Sequence, residues 1–289
     1  MALIPVMKFG GLTLQGKSRF GPNEDRLLDE CHRAQDLNEI YRALAARRNM
    51  ARAQRLREVA RDFILPAWKQ GIWPVVVVSA FDWATDKLEH LLACIDADPS
   101  PRESARLLMS GELRANAALA IALSAVGCPA CSMTGREAGI ITSARAVGAR
   151  IEQVDTEYVR SLLSLRVIPV VAGFQGYYHD PQTGRDEVSI LGRGGSNLTA
   201  VALADALDQP SCTMFSDVDG LYDRDPRRYQ EARKVPEISG PELLEWESFP
   251  QVIQREAVEY AVAKGVDIWL RSGFEPDAPG SRIICRRQG

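Results

Sequence analysis

Apolar residues fall into two recurring patterns along the chain. Val75–Val78, flanked by Trp73 and Ser79, is an unbroken apolar run, as expected for a strand covered on both faces. Val167–Ala172 (VIPVVA) repeats it, and Ile4–Phe9, Pro129–Met133, Ser211–Phe215, Val266–Leu270 and Arg282–Cys285 read as further strands. Between the strands, apolar positions recur three and four apart, the helical period. Residues 23–70 predict two helices, through Leu27, Leu28, Ala34, Leu37, Ile40, Tyr41 and Leu44. Thr85–Ala97, Arg102–Val126, Thr156–Leu165, Ser196–Leu207, Pro241–Trp246 and Gln251–Lys264 predict the other helices. Gly173–Ile190, with Tyr177-Tyr178 and a turn at Asp180–Gly184, predicts a hairpin. Strands alternating with helices imply an α/β fold around a mostly parallel sheet. No repeat or Pro/Ser-rich linker divides the chain, so one compact unit with two lobes is expected.

Composition narrows the function classes. Thirty-five basic residues against 38 acidic give a net charge of −3 over 289 residues. A nucleic-acid binder usually carries a basic excess, so that class is disfavoured. No apolar run approaches the ~20 residues that span a bilayer, and the N-terminus lacks the order of a signal peptide. With no export signal, the six cysteines read as free thiols of a cytoplasmic protein. Cys128-Pro-Ala-Cys131 has CxxC spacing without a second such pair, and reads as two small buried residues. His32, His90 and His179 match no metal-ligand spacing. Trp68, Trp73, Trp246 and Trp269 read as core. Lysine is confined to positions 8, 17, 69, 87, 234 and 264, which leaves few candidates for a catalytic cation.

Three glycine-bearing strings follow predicted strands. Lys8-Phe-Gly10-Gly11 is either an ordinary tight turn or a place where backbone N–H groups cradle an anion beside a lysine. Gly192-Arg193-Gly194-Gly195-Ser196-Asn197 enters a helix, as a plain N-cap or as an anion site with an arginine fork. It matches neither GxGxxG nor the P-loop pattern. SDVDGLYDRDPR, Ser216–Arg227, is an Asx-stabilised turn or a loop for a metal-bound nucleotide.

Taken together, and in order, these strings resemble the catalytic domain of aspartate kinases in the amino-acid kinase superfamily. The resemblance also rests on VVVVSA and ATD at 75–86, SGE at 110–112, VVAGFQG at 170–176, EIS at 237–239 and a last strand opened by Gly280-Ser281-Arg282. It implies a three-layer α/β/α sandwich with a mainly parallel sheet of about eight strands. Residues of about 1–190 would form the substrate lobe and about 191–289 the nucleotide lobe. It further implies transfer of the γ-phosphoryl of ATP, with Mg²⁺, to the side-chain carboxylate of aspartate or a close relative, in a homodimer. Lys8, Gly10 and Gly11 would meet the phosphates and the migrating group. Ser79, Thr85, Glu112 and Phe174 would line the acceptor pocket, and Arg193 with Ser196 would take the α-carboxylate. Ser216, Asp217, Tyr222 and Arg227 would bind nucleotide.

The sequence departs from the family pattern in several places. Asn197 replaces an aspartate that receives the substrate amino group and helps orient the lysine. Gln251 stands where a phosphate-reaching lysine is usual, and neither Lys234 nor Lys264 is an evident substitute. Leu12-Thr13 follows the glycines in place of small hydroxyl residues, and Phe81-Asp82-Trp83 makes the substrate loop bulkier. Residues of about 21–60 read as an insertion, either a longer surface hairpin or a lid or dimer element. No regulatory ACT module is expected after the catalytic domain. These departures leave two alternatives to aspartate as acceptor: a different amino-acid derivative, or a catalytically weak ligand-binding subunit.

Overall fold

The computed structural model describes residues 3–15, 37–81 and 83–286. Eight strands form its central sheet: β1 Val6–Phe9, β2 Val75–Val78, β3 Ala130–Met133, β6 Ile168–Ala172, β9 Ser211–Ser216, β12 Glu237–Ser239, β13 Asp267–Ser272 and β14 Ser281–Ile284. Their order across the sheet is β12-β14-β13-β9-β1-β2-β6-β3. All neighbouring pairs run parallel except β13 with β14. Residues before 191 supply β1, β2, β6 and β3, and residues after it supply the other half.

The β2 run shows why the sheet is buried on both faces. Val75 and Val77 enter one core with Val201, Leu203 and Val258. Val76 and Val78 enter the other with Leu56, Phe63, Leu119 and Leu123. Successive side chains of a strand point to opposite faces, so four consecutive valines need a hydrophobic layer on each side. Helices Gly195–Ala206 and Arg255–Lys264 form one layer, and Leu37–Val59 with Pro101–Ala125 the other. This is the expected mainly parallel sandwich.

A second sheet holds the predicted hairpin as β7 Gln175–Asp180 and β8 Arg185–Ile190. Its other members, β4 Ile140–Thr142 and β5 Ile151–Val154, were not expected, and the order is β5-β4-β7-β8. A short pair, β10 Leu221–Tyr222 with β11 Lys234–Val235, completes the strands.

Several expectations need correction. The helix expected from Gln251 begins at Arg255, because Ile253 turns into the core and Gln254 takes an extended cap conformation. Of the four tryptophans read as core, Trp68 and Trp246 are half-buried and pack against it. Trp73 and Trp269 instead lie under the guanidinium groups of Arg166 and Arg282. Of the predicted 23–70 helices, residues 23–36 lie outside the described ones. Leu37–Val59 runs through a π turn at Ala60–Ile64 into Leu65–Lys69, whose Pro66 lacks the N–H a regular helix would use. Leu56 and Val59 are buried in the core, so this helix is not merely a surface insertion.

Candidate active site

β1 sits where the sheet changes direction of growth: chain order runs outward from it through β2 on one side and through β9 on the other. In open α/β sheets, ligand crevices form at the carboxyl ends beside such a switch point. Here those ends are held level. The Gly10 N–H donates to the Phe215 carbonyl (3.2 Å), Ser79 N–H to Phe9 (3.2 Å), Gly173 N–H to Val78 (2.9 Å) and Gly273 N–H to Ser216 (2.7 Å). The Gly10 donor is therefore already used and does not point at a ligand. A Cβ there would lie 3.5 Å from Lys8 Nζ, an ordinary contact, so space alone does not demand glycine at this position.

Two cavities meet above this edge. One, of about 370 Å³, is bounded by Gly10, Gly11, Thr85, Asp86 and Arg193. The other, of about 800 Å³, is bounded by Ser79, Ser196, Tyr222, Arg227 and Gln251. Lys8, Leu12, Asn197, Ser216, Asp217, Val252 and Gln254 line both. Twelve of the fourteen residues expected at the site are thus brought together. The other two lie behind the walls. Glu112, 3% exposed, accepts the Ala80 N–H (3.1 Å) from beneath the Phe81 loop. Phe174 packs with Ala105, Leu108 and Ile190, and its N–H donates to Thr199 Oγ1 (3.2 Å).

Lys8 dominates the electrostatics at the junction. Burial lowers its pKa to about 8, and the Asp217 carboxylate opposes that shift. It stays mostly protonated at neutral pH, as a cation short of compensating charge. Burial also raises Glu112 to about 7 against the Ala80 hydrogen bond, and its Oε2 has no hydrogen-bond partner.

The surrounding charges are paired. Arg193 meets Asp86 Oδ1 (3.1 Å) and Glu89 Oε2 (2.6 Å). Arg227 meets Asp217 (3.2 Å) and Asp225 (2.9 Å). Lys234 Nζ meets Asp219 (2.8 Å), which also accepts the Tyr222 hydroxyl (2.8 Å), while Lys264 pairs with Asp205 at 3.2 Å. Tyr222 is pushed up to about 12 by burial and by that carboxylate.

The glycine-rich turn and the helix it starts complete the junction. Gly194 has φ +84°, and a Cβ there would lie 2.0 Å from Gln254 Cγ, so only glycine admits that side chain. Asn197, 4% exposed, donates through Nδ2 to Gln254 Oε1, while its Oδ1 is buried without a partner. Trp83, 63% exposed, holds φ +60° at the mouth of the smaller cavity. Gln254 and the Asp86–Glu89 pair were missed in the sequence. Asp86 lies in the Ala84-Thr85-Asp86 motif, where nothing local pairs it with Arg193, and no local signal marks Gln254.

Among the described residues no group of three or more His, Cys, Asp or Glu side chains is placed to hold a metal ion. Among the same residues, no helix is long and apolar enough to cross a membrane. Cys94, Cys128, Cys131, Cys212 and Cys285 are free thiols.

Comparison with known proteins bears on the family and the fold. A family model described as the amino acid kinase family matches residues 4–272. The aspartokinase of Corynebacterium glutamicum is 41% identical over 232 residues, covering 80% of this chain and 54% of that protein. That of Helicobacter pylori (strain J99) is 39% identical over 240 residues, covering 83% and 58%. The chain spans rather more than half the length of these curated relatives. Among solved structures, aspartate kinase from Synechocystis superposes with a TM-score of 0.73 at 32% identity, covering 98% of this chain and 40% of that one. E. coli aspartokinase III in complex with aspartate and ADP shares the fold, with a TM-score of 0.63 at 21% identity, covering 99% and 65%.

Proposed function

The chain belongs to the amino acid kinase family, and from that premise we propose that it phosphorylates the side-chain carboxylate of aspartate with ATP. One observation carries the reading: two cavities share a single half-buried lysine, the arrangement a two-substrate group transfer requires. The smaller cavity, with Thr85 and Arg193, takes the amino acid. The larger, with Ser216, Tyr222 and Arg227, takes the nucleotide. The lobes then divide at about residue 190, between β1 and β9.

In the transfer a carboxylate oxygen of aspartate bonds to the γ-phosphorus while the bond to the β,γ-bridging oxygen breaks. The products are ADP and an acyl phosphate. Such chemistry is mainly positioning and charge stabilisation. Lys8, short of compensating charge, stabilises the negative charge on the phosphoryl oxygens in flight. Arg193 exchanges its exposed partners Asp86 and Glu89 for the substrate α-carboxylate, which its planar fork can take in bidentate fashion. Asp217 stands close enough to Lys8 to affect its charge, and Arg227 holds that carboxylate in place.

Mg²⁺ fits this donor set only as a companion of the nucleotide. The described residues build no metal cage, and Mg²⁺ commonly takes one or two carboxylates plus substrate phosphates. Asp217 is the carboxylate at the junction of the cavities. The ion would offset phosphate charge there. Assembly as a homodimer, expected from the family resemblance, and a cytoplasmic location, expected from the cysteines and the lack of an export signal, belong to the same proposal, and sedimentation velocity tests the dimer.

The deciding experiment incubates the protein with Mg-ATP, aspartate and hydroxylamine. Acyl phosphate is trapped as the hydroxamate in step with ADP release. ADP release without hydroxamate, or neither product over a panel of amino-acid derivatives, rejects the reading.

A further inference from the structure

The wall of the Lys8 cavity formed by Gly10–Thr13 is held from outside the site. Arg55, on the helix Leu37–Val59, is 7% exposed. Its Nε donates to the Thr13 carbonyl (2.8 Å), its Nη2 to the Gly273 carbonyl, and its Nη1 to Glu58 (3.0 Å). The guanidinium lies 4.5 Å from the centre of the Phe274 ring. One fork thus joins three segments: the long helix, the turn after Lys8, and the end of β13. Thr13 is pinned further, because its hydroxyl donates to the Phe215 carbonyl (3.4 Å) and a Cβ on Gly273 would lie 2.3 Å from Thr13 Cγ2. One helical turn earlier, Arg52 lies 5.1 Å from the centre of the Phe81 ring and donates to Gln15 Oε1 (3.3 Å). Positions three apart share a helix face, so the same face also reaches the loop bounding the smaller cavity.

Stability alone is a poor reason for this arrangement. A buried ion pair is often no more stabilising than apolar side chains of the same volume. What a planar fork supplies is direction: donors set at fixed angles to carbonyls on separate segments. We propose that Arg55 is a positioning residue for the phosphoryl transfer, clamping the Thr13 and Gly273 carbonyls so that Gly10–Thr13 keeps Lys8 enclosed. The proposal rests on Lys8 being the transfer lysine. The charged groups lining the cavities with Lys8 are Asp86 and Arg193 in the smaller, Asp217 in both, and Asp223, Arg224, Asp225, Arg227 and Arg228 in the larger, and the hydrogen bonds of Arg55 go to Thr13, Gly273 and Glu58 instead.

The test compares Arg55→Met and Arg55→Lys with Leu56→Ala, which damages the same helix through the core alone. Acylation of Lys8 by acetic anhydride, read by peptide mass spectrometry across pH, reports the lysine independently of turnover. The midpoint expected for wild type is near 8. Arg55→Met admits water and moves it up by about one unit or more, toward the solvated value. Leu56→Ala lowers the melting temperature without moving it. In ADP-release assays Arg55→Met lowers kcat about tenfold or more, as misplacement near reacting atoms does, with the aspartate KM within about twofold. Arg55→Lys, charged but without the fork, falls between. A folded Arg55→Met with an unchanged midpoint, and with kcat matching Leu56→Ala, overturns the proposal. If Arg55→Met does not fold, Arg55→Lys decides by the same two readings. If wild type makes no ADP with aspartate, the kinase reading fails and the Lys8 midpoint still decides the role of Arg55.

Discussion

The floor and the rim of this site treat charge in opposite ways. On the floor, Lys8 and Glu112 are desolvated, and burial moves both toward their neutral forms. On the rim, Arg193 and Arg227 are 69% and 42% exposed at the side chain and each meets two carboxylates. Exposed pairs contribute little, about 0–1 kcal/mol each, so exchanging one for a ligand anion costs little. A desolvated, under-compensated cation gains far more when a phosphoryl group arrives. The rim is therefore suited to binding and the floor to the transfer itself.

The largest expected effect comes from the floor. Lys8→Met should lower kcat by about 10²–10³-fold, the range for removing one donor that stabilises transition-state charge. Nucleotide affinity, which the 216–227 loop shares, should fall far less. Steady-state ADP release together with calorimetry separates the two. Equal losses in kcat and nucleotide affinity would erase the contrast between floor and rim.

On the rim, Arg193→Ala should raise the aspartate KM by about 10- to 100-fold, the worth of a hydrogen bond to a charged group, with kcat changed little. The paired variant Asp86→Asn with Glu89→Gln sharpens the point by reversing the sign. It frees Arg193 from its competitors, so the aspartate KM should drop by about two- to fivefold, within the modest worth of exposed pairs. A rise in KM on removing those carboxylates would show that they orient Arg193 and do not compete for it.

How far each region was legible follows from how local its signals are. The sheet was readable because VVVV and VIPVVA carry their burial in consecutive residues. Lys8, Ser216 and Asp217 were readable because glycine and acidic residues surround them in the chain. β4 and β5 were missed as strands of three and four residues, the latter with exposed polar residues at its centre. Rim pairings leave no local trace: Arg193 and Asp86 are 107 residues apart, and Asn197 and Gln254 are 57 apart. Arg55 finds the Gly273 carbonyl 218 residues away. Such contacts exist only once the sheet has brought the strand ends level.

Glu112 tests the floor through stability. Its folded pKa of about 7 lies above the ordinary 4.5, so the native state binds more protons between those values. The favourable contribution is complete below 4.5 and is lost as pH rises through 7. A shift of this size corresponds to roughly 3–4 kcal/mol. Glu112→Gln keeps an acceptor for the Ala80 N–H and cannot ionise. Urea unfolding should show wild type losing stability relative to Glu112→Gln across that window. Parallel profiles would mean that water reaches the carboxylate beneath the Phe81 loop.

The most finely balanced effect lies where floor and rim meet. Asn197 gives Nδ2 to Gln254 and leaves Oδ1 buried without a partner. Asn197→Asp adds an anion at a residue that lines both cavities with Lys8. An added anion should draw the Lys8 pKa up from about 8, against the effect of burial. It also sets a carboxylate oxygen against Gln254 Oε1, so Gln254 must turn its amide to donate. The two consequences oppose each other. The net gain in kcat/KM for aspartate should reach about tenfold at most, the lower end for one charge-assisted bond. A double-mutant cycle with Gln254→Leu separates them, because neighbours in one network do not add. If the amide conflict is real, Asn197→Asp gains more on top of Gln254→Leu than it does alone. Equal gains with and without Gln254→Leu would mean that Gln254 does not hold Asn197. A loss in both settings would mean that a second anion beside Lys8 hinders the incoming phosphates.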